Sequence, residues 1–245
     1  MFSSDLAYDN FMGRFSTRLA PVFADFAGVD AGNHVLDVGA GTGALTAELV
    51  RREADVAAVE PSPEFAVTLQ RRFPEVDARQ GAAESLPWPD ESFDAALAQL
   101  VVAFMSDAPA GVAEMLRVVR PGGVVAVCMW TRDDMEMLAA INRTQAAITP
   151  ERTADVSPYR SPESASRLLG ADAHVELLTI SADYSDFDEF WSSLGAGAGP
   201  AGVWLLSLSD EQRAAAREEL YRQVGGPTGP FTLAGRAWAA RVTRV

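Results

Sequence analysis

The residues with the clearest chemical potential lie at the end of an apolar segment near residue 35. The run 35–38 carries one carboxylate, Asp37, and is followed by glycines at alternate positions, Gly39, Gly41 and Gly43. Glycine lets a ligand approach the backbone closely, and a helix that follows would present its N-terminal amides. The pattern predicts the nucleotide-binding corner of a doubly wound sheet, at the carboxyl end of its first strand.

Two kinds of nucleotide fit this corner. Gly39, Gly41 and Ala44 satisfy the G-x-G-x-x-A spacing of dinucleotide-binding turns, and Glu60 lies at a suitable distance downstream for a ribose. The other candidate is S-adenosylmethionine. Asp37 favours it, because a carboxylate can hold the cationic amino group of a methionine moiety but would repel a pyrophosphate. A turn with no ligand is disfavoured, because the buried carboxylate and close glycines would then only cost stability.

Four motifs occur in order between residues 33 and 130. They are the segments 37–43, 56–62, 81–94 and 114–123. Together they resemble the class I S-adenosylmethionine-dependent methyltransferases, and within them the small-molecule subgroup that includes ubiquinone and menaquinone biosynthesis enzymes. The third segment is similar to that subgroup's GDAE-LPFPD-SFD stretch, and the fourth to its E-RVLRPGG helix end. Dinucleotide dehydrogenases do not show these last two motifs.

The resemblance implies S-adenosyl-L-methionine as cofactor and S-adenosyl-L-homocysteine as product. Asp37 and the glycine turn would hold the methionine end, and Glu60 would bind the ribose hydroxyls. Gln99, at the end of the fourth strand, would lie beside the cofactor. The expected cofactor-binding residues are Asp37, Gly39, Ala40, Gly41, Thr42, Gly43, Glu60, Pro61, Ala82, Ala83 and Gln99.

Ala82 departs from the family pattern. The family usually has an aspartate at this place, which bonds the exocyclic amine of adenine. Backbone groups near Ala83 or the side chain of Glu84 could substitute for it. Glu84 fits a solvated helix start equally well, so the adenine contact stays open at this point.

Composition agrees with a soluble enzyme, and the cytoplasm is its expected location. The chain has 245 residues, enough for one enlarged α/β domain, and its net charge of −14 argues against nucleic acid and anionic membranes as partners. The single cysteine, Cys128, excludes an internal disulfide, and every basic side chain is arginine, which excludes Schiff-base chemistry and suggests a bacterial source. We find neither a signal peptide nor an apolar run that could span a bilayer.

The pattern of apolar segments predicts an α/β fold with a doubly wound, seven-stranded, mostly parallel sheet and a helical cover over the cleft. We expect a single domain over 1–245. Its core would comprise about 30–130 plus 161–183 and 232–245, and its cover segments would be 1–28, 131–160 and 184–231. The expected strands are 34–38, 56–60, 77–80, 93–99, 124–130, 175–182 and 236–242.

The acceptor side of the site is less defined. The chain's two histidines precede strands at the edge opposite the cleft, so we assign no catalytic residue, and no metal site is predicted. Aromatic and methionine residues of the rim segments suggest an apolar or aromatic acceptor. The candidate substrate-binding residues are Tyr8, Arg14, Phe104, Trp130 and Trp191. The glycine-rich segment 195–202 could be a lid with aromatic walls or an ordinary connector between helices.

Two other functions stay open at this stage. A nicotinamide-dependent oxidoreductase would use the G-x-G-x-x-A spacing, and a non-catalytic cofactor-binding module would account for Ala82 and for the missing base. A monomer and a homodimer are both compatible with the sequence.

Overall fold

A computed structural model describes residues 9–131, 134–151, 159, 161–195 and 199–245. The chain divides into two compact units. The sheet unit contains the described residues within 16–130, 157–178 and 237–245, and the helical unit contains those within 1–15, 131–156 and 179–236. Residues 16–27, which we expected among the cover segments, belong to the sheet unit, whereas the single-domain description stays a prediction.

The seven strands form one sheet in the order β3-β2-β1-β4-β5-β7-β6. Neighbours from β3 to β5 pair in parallel, and β7 pairs antiparallel with β5. The predicted α/β sheet, mostly parallel and seven-stranded, is therefore confirmed. The strands are β1 His34–Val38, β2 Asp55–Glu60, β3 Asp77–Gln80, β4 Phe93–Gln99, β5 Val119–Trp130, β6 His174–Tyr184 and β7 Phe231–Thr243.

Helices cover both faces of the sheet unit. Its helices are α1 Arg14–Ala27 (from Ser16 onward), α2 Ala44–Arg51, α3 Pro63–Arg72, α4 Ala108–Val118 and α6 Pro162–Leu169, with a 3₁₀ turn at Val102–Phe104. Buried residues of α4 and α6 pack with Leu36, Val38 and Ala98 in one core cluster. Since side chains alternate along a strand, Asp37 and Gln99 lie on the other face, where Thr46 of α2 and the Ser16 carbonyl of α1 contact them.

The helical unit consists mainly of helices and of parts of β6 and β7. A π-helical turn, Asp9–Gly13, precedes α1, and the helices are α5 Glu136–Ile148, α7 Phe187–Gly195, α8 Gly199–Ser207 and α9 Asp210–Gln223. Ser209 caps α9 in a capping box with Gln212, as a polar helix start requires. An aromatic cluster joins Tyr184 to Phe190 and Phe231, with ring centroids 5.0 and 5.3 Å apart.

The last three strands are longer than the sequence predicted. We expected β5 to begin at Val124, because Pro121, Gly122 and Gly123 normally interrupt a strand. Instead β5 begins at Val119, which pairs with Phe93, and the register shifts before Ala95 pairs with Val124. The Gly122 N–H donates to the Arg244 carbonyl, so the residue directly after β7 supplies the partner that holds this irregular segment in the sheet. Among the described residues, no helix is long and apolar enough to cross a membrane.

Candidate cofactor site at the ends of β1, β2 and β4

Asp37 is the most deeply buried carboxylate of the sheet unit's glycine corner. Only 1% of the residue is exposed, and its Oδ2 accepts a hydrogen bond of 2.6 Å from the Thr46 hydroxyl. Burial raises the pKa of Asp37 to about 7, with a smaller contribution in the same direction from the nearby Glu60 charge, whereas hydrogen bonds from Thr46 lower it. The free protein therefore holds this carboxyl partly protonated at neutral pH, and a cationic ligand group would favour its charged form.

The turn after β1 has three left-handed glycines, but they differ in their surroundings. A Cβ at Gly39 would lie 2.8 Å from Val101, and one at Gly43 would lie 2.3 Å from Phe73, so packing alone requires glycine at both places. Among the residues that the structure describes, a Cβ at Gly41 would meet no atom within 4 Å. Gly41, with φ of 58°, is therefore the glycine that borders open space, as a turn that receives a ligand requires.

Glu60 closes the corner from the end of β2. It is 6% exposed, and its two oxygens accept hydrogen bonds of 2.8 Å from the backbone N–H groups of Gly41 and Ser62. Burial raises the pKa of Glu60, and these two backbone hydrogen bonds oppose that shift. The contact with Gly41 ties Glu60 to the glycine turn, so the first two motifs of the sequence form one connected structure.

The segment expected to line an adenine follows β3. Ala82 is exposed and Ala83 is buried, while the Gly81 N–H donates to the Glu60 carbonyl at 3.2 Å. Glu84 accepts hydrogen bonds from the Ser106 hydroxyl and the Asp107 N–H, at 2.9 and 3.0 Å. Glu84 thus begins no helix, and its carboxylate binds the segment before α4, while the adenine contact near Ala82 and Ala83 stays a prediction.

The remaining cofactor candidates lie around the same corner. Ala40 donates its N–H to the Val59 carbonyl, and the Thr42 carbonyl accepts from Arg72 at 2.9 Å. Pro61 is exposed directly after Glu60, with its carbonyl 3.5 Å from the amide nitrogen of Gln80. Gln99 is buried at the end of β4. The roles of all these residues toward a ligand stay predictions.

The five acceptor-side candidates fall in different parts of the chain. Phe104 and Trp130 belong to the sheet unit, Phe104 with 75% of its surface exposed and Trp130 half-buried at the end of β5. Arg14 and Trp191 belong to the helical unit, and Tyr8 lies outside the described residues. A common acceptor site for the five therefore stays a prediction.

Arg14 has protein partners that the sequence did not reveal. Its guanidinium donates to the Asp183 carbonyl and to Glu189, and it lies over the Tyr184 ring at 4.5 Å from the centroid. These contacts join the start of α1 to α7 within the helical unit. Arg14 therefore has a structural role, and its assignment to substrate binding stays a prediction.

The segment proposed as a lid is described only at its ends. Residues 196–198 lie outside the described residues, while α7 ends at Gly195 and α8 begins at Gly199. Trp204 is buried, and its indole N–H donates to the Thr149 hydroxyl at 3.0 Å. Trp204 thus packs inside the helical unit, which favours the connector interpretation over a swinging aromatic wall.

Two residues at the site were missed in the sequence. Thr46, nine positions after Asp37, binds its carboxylate, and Leu100, directly after β4, has a left-handed backbone with φ of 64°. A hydroxyl in the first turn of the helix after the glycines was a weak signal for Thr46. Nothing local marks Leu100, because leucine disfavours this conformation.

Residues 36–127 match the family model for a methyltransferase domain. Over 104 residues the chain is 43% identical to an uncharacterized methyltransferase of Mycobacterium tuberculosis, covering 42% of each chain. Over 103 residues it is 40% identical to a demethylmenaquinone methyltransferase of Beutenbergia cavernae, covering 42% of this chain and 43% of that protein. The chain thus spans less than half the length of these curated relatives.

Solved structures share the fold over nearly the whole chain. A candidate type II methyltransferase from Anaeromyxobacter dehalogenans has a TM-score of 0.68 at 22% identity, covering 94% of this chain and 96% of that one. A [4+2]-cyclase has a TM-score of 0.57 at 24% identity, covering 94% and 82%. At these identities the likeness concerns the fold, and the site must decide the chemistry.

Proposed function

We propose that this chain, whose residues 36–127 form a class I S-adenosylmethionine-dependent methyltransferase domain, transfers a methyl group from S-adenosyl-L-methionine to a small, apolar or aromatic acceptor. S-adenosyl-L-homocysteine is then the second product. The relatives support the reaction class, while the acceptor rests on the character of the site. That the protein acts in the cytoplasm, as a monomer or homodimer, stays a prediction from the sequence.

The observation that carries the proposal is the pair of buried carboxylates at neighbouring strand ends. β1 and β2 pair in register, with Val38 opposite Val59, so Asp37 and Glu60 lie at the same edge of the sheet. Glu60 receives only backbone N–H donors in its described contacts, and Asp37 receives a hydroxyl. The ammonium group of a ligand would neutralise Asp37, and the hydroxyls of a ribose would donate hydrogen bonds to Glu60. A pyrophosphate would instead be repelled by Asp37, because both are negatively charged.

When bound, the cofactor supplies a methyl carbon made electrophilic by its sulfonium. The contribution of the protein is to hold the two reactants in line and to keep water away from them. Alignment of this kind can lower a barrier by about 7–11 kcal/mol without acid or base catalysis. Glu60 would fix the adenosine end, and Asp37 with the glycine turn would fix the amino-acid end, so that only the methyl group faces the acceptor.

Two observations support an apolar acceptor. The Phe104 ring is largely exposed on the 3₁₀ turn that follows β4, at the carboxyl edge where ligands of such sheets bind. One relative is named for demethylmenaquinone, an apolar quinone precursor. The acceptor would bring its own nucleophile to the methyl group, with a general base needed only if that nucleophile arrives protonated.

Calorimetric titration with S-adenosylmethionine, S-adenosylhomocysteine and NADH, each separately, tests the cofactor. We expect micromolar binding of both adenosyl ligands and no heat with NADH, and binding of NADH alone would overturn the proposal. Because a [4+2]-cyclase shares the fold, turnover must be measured directly, as S-adenosylhomocysteine release with a panel of phenols, quinols and aromatic amines. Cofactor binding without release on any acceptor would favour the non-catalytic module.

A further inference from the structure

Gln99 has a side-chain oxygen that accepts no hydrogen bond from the described part of the chain. It is the last residue of β4 and is 9% exposed. Its amide nitrogen donates to the Ser16 carbonyl at 3.1 Å, whereas its Oε1 is buried without a hydrogen-bond partner in the described part of the chain. Because the Ser16 carbonyl can only accept, the orientation of the amide is fixed, and the oxygen is left as an acceptor. Buried acceptors normally have donors.

The pairing of β1 with β4 places Gln99 near Asp37. Asp37 lies opposite Leu97, so Gln99 is two residues further along the neighbouring strand and on the same face of the sheet. With a rise of about 3.3 Å per residue and strands about 4.8 Å apart, the two Cα atoms are roughly 8 Å from each other. Side chains of this length can reach one small group between them.

The backbone around Gln99 is held in place by its neighbours. Leu100 adopts a left-handed conformation, which is costly for leucine, and its N–H donates to the Cys128 carbonyl at 2.9 Å. The next residue, Val101, lies so close to Gly39 that a Cβ there would approach it to 2.8 Å. The end of β4 is therefore packed directly against the glycine turn, and the position of Gln99 relative to that turn is determined by packing.

We propose that Gln99 Oε1 is the second acceptor for the ammonium group of the cofactor, which it shares with Asp37. The inference rests on the proposed function and deepens it. An ammonium has three N–H donors, and a carboxylate together with an amide oxygen satisfies two of them. The pair makes the site selective for adenosyl ligands that carry an amino-acid tail, over nucleosides that share the adenine, the ribose and the thioether but lack the tail.

Two thioether ligands test this without knowledge of the acceptor. S-adenosylhomocysteine has the amino-acid tail, and 5′-methylthioadenosine lacks it. Gln99→Met keeps the length of the side chain and removes the amide. We expect Gln99→Met to weaken S-adenosylhomocysteine binding by roughly tenfold and to leave 5′-methylthioadenosine binding within twofold, both by calorimetry. Gln70→Met is the matched control, because the Gln70 amide also donates to a backbone carbonyl, that of Ala78, but on the exposed side of α3.

Equal weakening of both ligands would show that Gln99 only supports the structure, and unchanged S-adenosylhomocysteine binding would show that its oxygen has no ligand; either result overturns the inference. Gln99→Glu provides a second variant should Gln99→Met unfold. It keeps an acceptor oxygen, so we expect it to retain the preference for the ligand with the tail, and loss of that preference would contradict us. Failure of the proposed function is distinct, because the unmodified protein would then bind neither ligand.

Discussion

Two buried glutamates of the sheet unit have nearly the same exposure, but their pKa values shift in opposite directions. Glu60, at the cofactor corner, is 6% exposed, and burial raises its pKa. Glu48, on α2, is 8% exposed, and its pKa is lowered, first by hydrogen bonds from Arg51 and then by those from Arg52. Within the part of the chain that the structure describes, arginines supply the cations for Glu48, whereas Glu60 receives only backbone N–H groups.

The contrast separates carboxylates that stabilise the fold from those available to a ligand. Glu48 receives bonds of 2.6 to 2.8 Å from the guanidinium groups of Arg51 and Arg52, and Glu114 is paired with Arg117 in a similar way. Asp37 belongs with Glu60, because burial raises its pKa as well. Carboxylates that are paired with arginine thus differ in their hydrogen-bond donors from Asp37 and Glu60, the two carboxylates that we propose to bind the ligand. All of them occur in the same sheet unit.

Replacement of Asp37 should give the largest effect on binding. Asp37→Asn keeps the side-chain shape and an acceptor for Thr46 but removes the charge that holds the ligand ammonium. We expect S-adenosylhomocysteine affinity to fall at least about 100-fold by calorimetry. Unchanged affinity would show that Asp37 does not bind the ligand.

The same variant should be more stable than the unmodified protein at pH 8. The folded pKa of Asp37 is about 7, above the unfolded value of about 3.9, so its stability contribution is full at low pH and declines as pH rises from about 4 to 7. Asn removes that decline. Chemical denaturation should give the same free energy of unfolding for the two proteins near pH 4 and a larger one for Asp37→Asn at pH 8. Equal free energies of unfolding at both pH values would contradict the raised pKa.

Glu60→Gln should lower ligand affinity with little change in folding. The loss of charge-assisted hydrogen bonds to the ribose hydroxyls should weaken S-adenosylhomocysteine and 5′-methylthioadenosine alike, by about 10- to 30-fold. The free energy of unfolding should change by less than about 1 kcal/mol, because removal of a buried charge offsets the loss of one of the two backbone hydrogen bonds. A variant that lost stability but kept affinity would reverse the roles we assign to Glu60 and Glu48.

Glu48→Gln is the matched variant on the other side of the comparison. We expect the free energy of unfolding at pH 7 to fall by about 2 kcal/mol, since Arg52 loses a close partner, while ligand affinity stays within twofold. The pKa of Glu48 is lowered on folding, so its contribution is present above the unfolded pKa and is lost as pH falls. The difference between variant and parent should therefore shrink toward pH 4, the opposite of the Asp37 result. A loss in the free energy of unfolding that stayed constant with pH would indicate that Glu48 stabilises the fold by packing and not by its charge.

The affinity for S-adenosylhomocysteine should depend on pH in two directions. Below about 7 the ligand must displace a proton from Asp37, so affinity should fall toward tenfold per pH unit. At alkaline pH the α-amino group of the ligand loses its own proton, and affinity should fall again. Asp37→Asn should lose the acid limb and keep the alkaline one. An acid limb that persisted in this variant would assign it to another group.

The sequence was most informative where chemistry and local structure coincide. β1 and β4 have the predicted bounds, and β2 begins one residue early, because nearly continuous buried runs stop at or just before a polar or glycine residue. The glycine turn, Asp37 and Glu60 were all found from spacing and from the family resemblance. Each of these features depends on residues close together in the chain.

Features that depend on distant residues escaped prediction. Arg14 pairs with Glu189, 175 positions away, and no local pattern indicates that contact. The early start of β5 depends on hydrogen bonds with residues near Arg244, and the free oxygen of Gln99 depends on the Ser16 carbonyl 83 positions earlier. Residue type gives the capacity of a side chain, but its partner is set by the tertiary structure.

The central claim is that no residue in the described part of the chain pairs a cation with Asp37, so that the ligand can supply one. It is tested most directly by the number of protons released when S-adenosylhomocysteine binds at pH 6, measured by calorimetry in two buffers of different ionisation enthalpy. Because Asp37 is mostly protonated in the free protein at this pH, we predict the release of close to one proton, and none from Asp37→Asn at saturating ligand. Binding to the unmodified protein with no proton released would contradict the account.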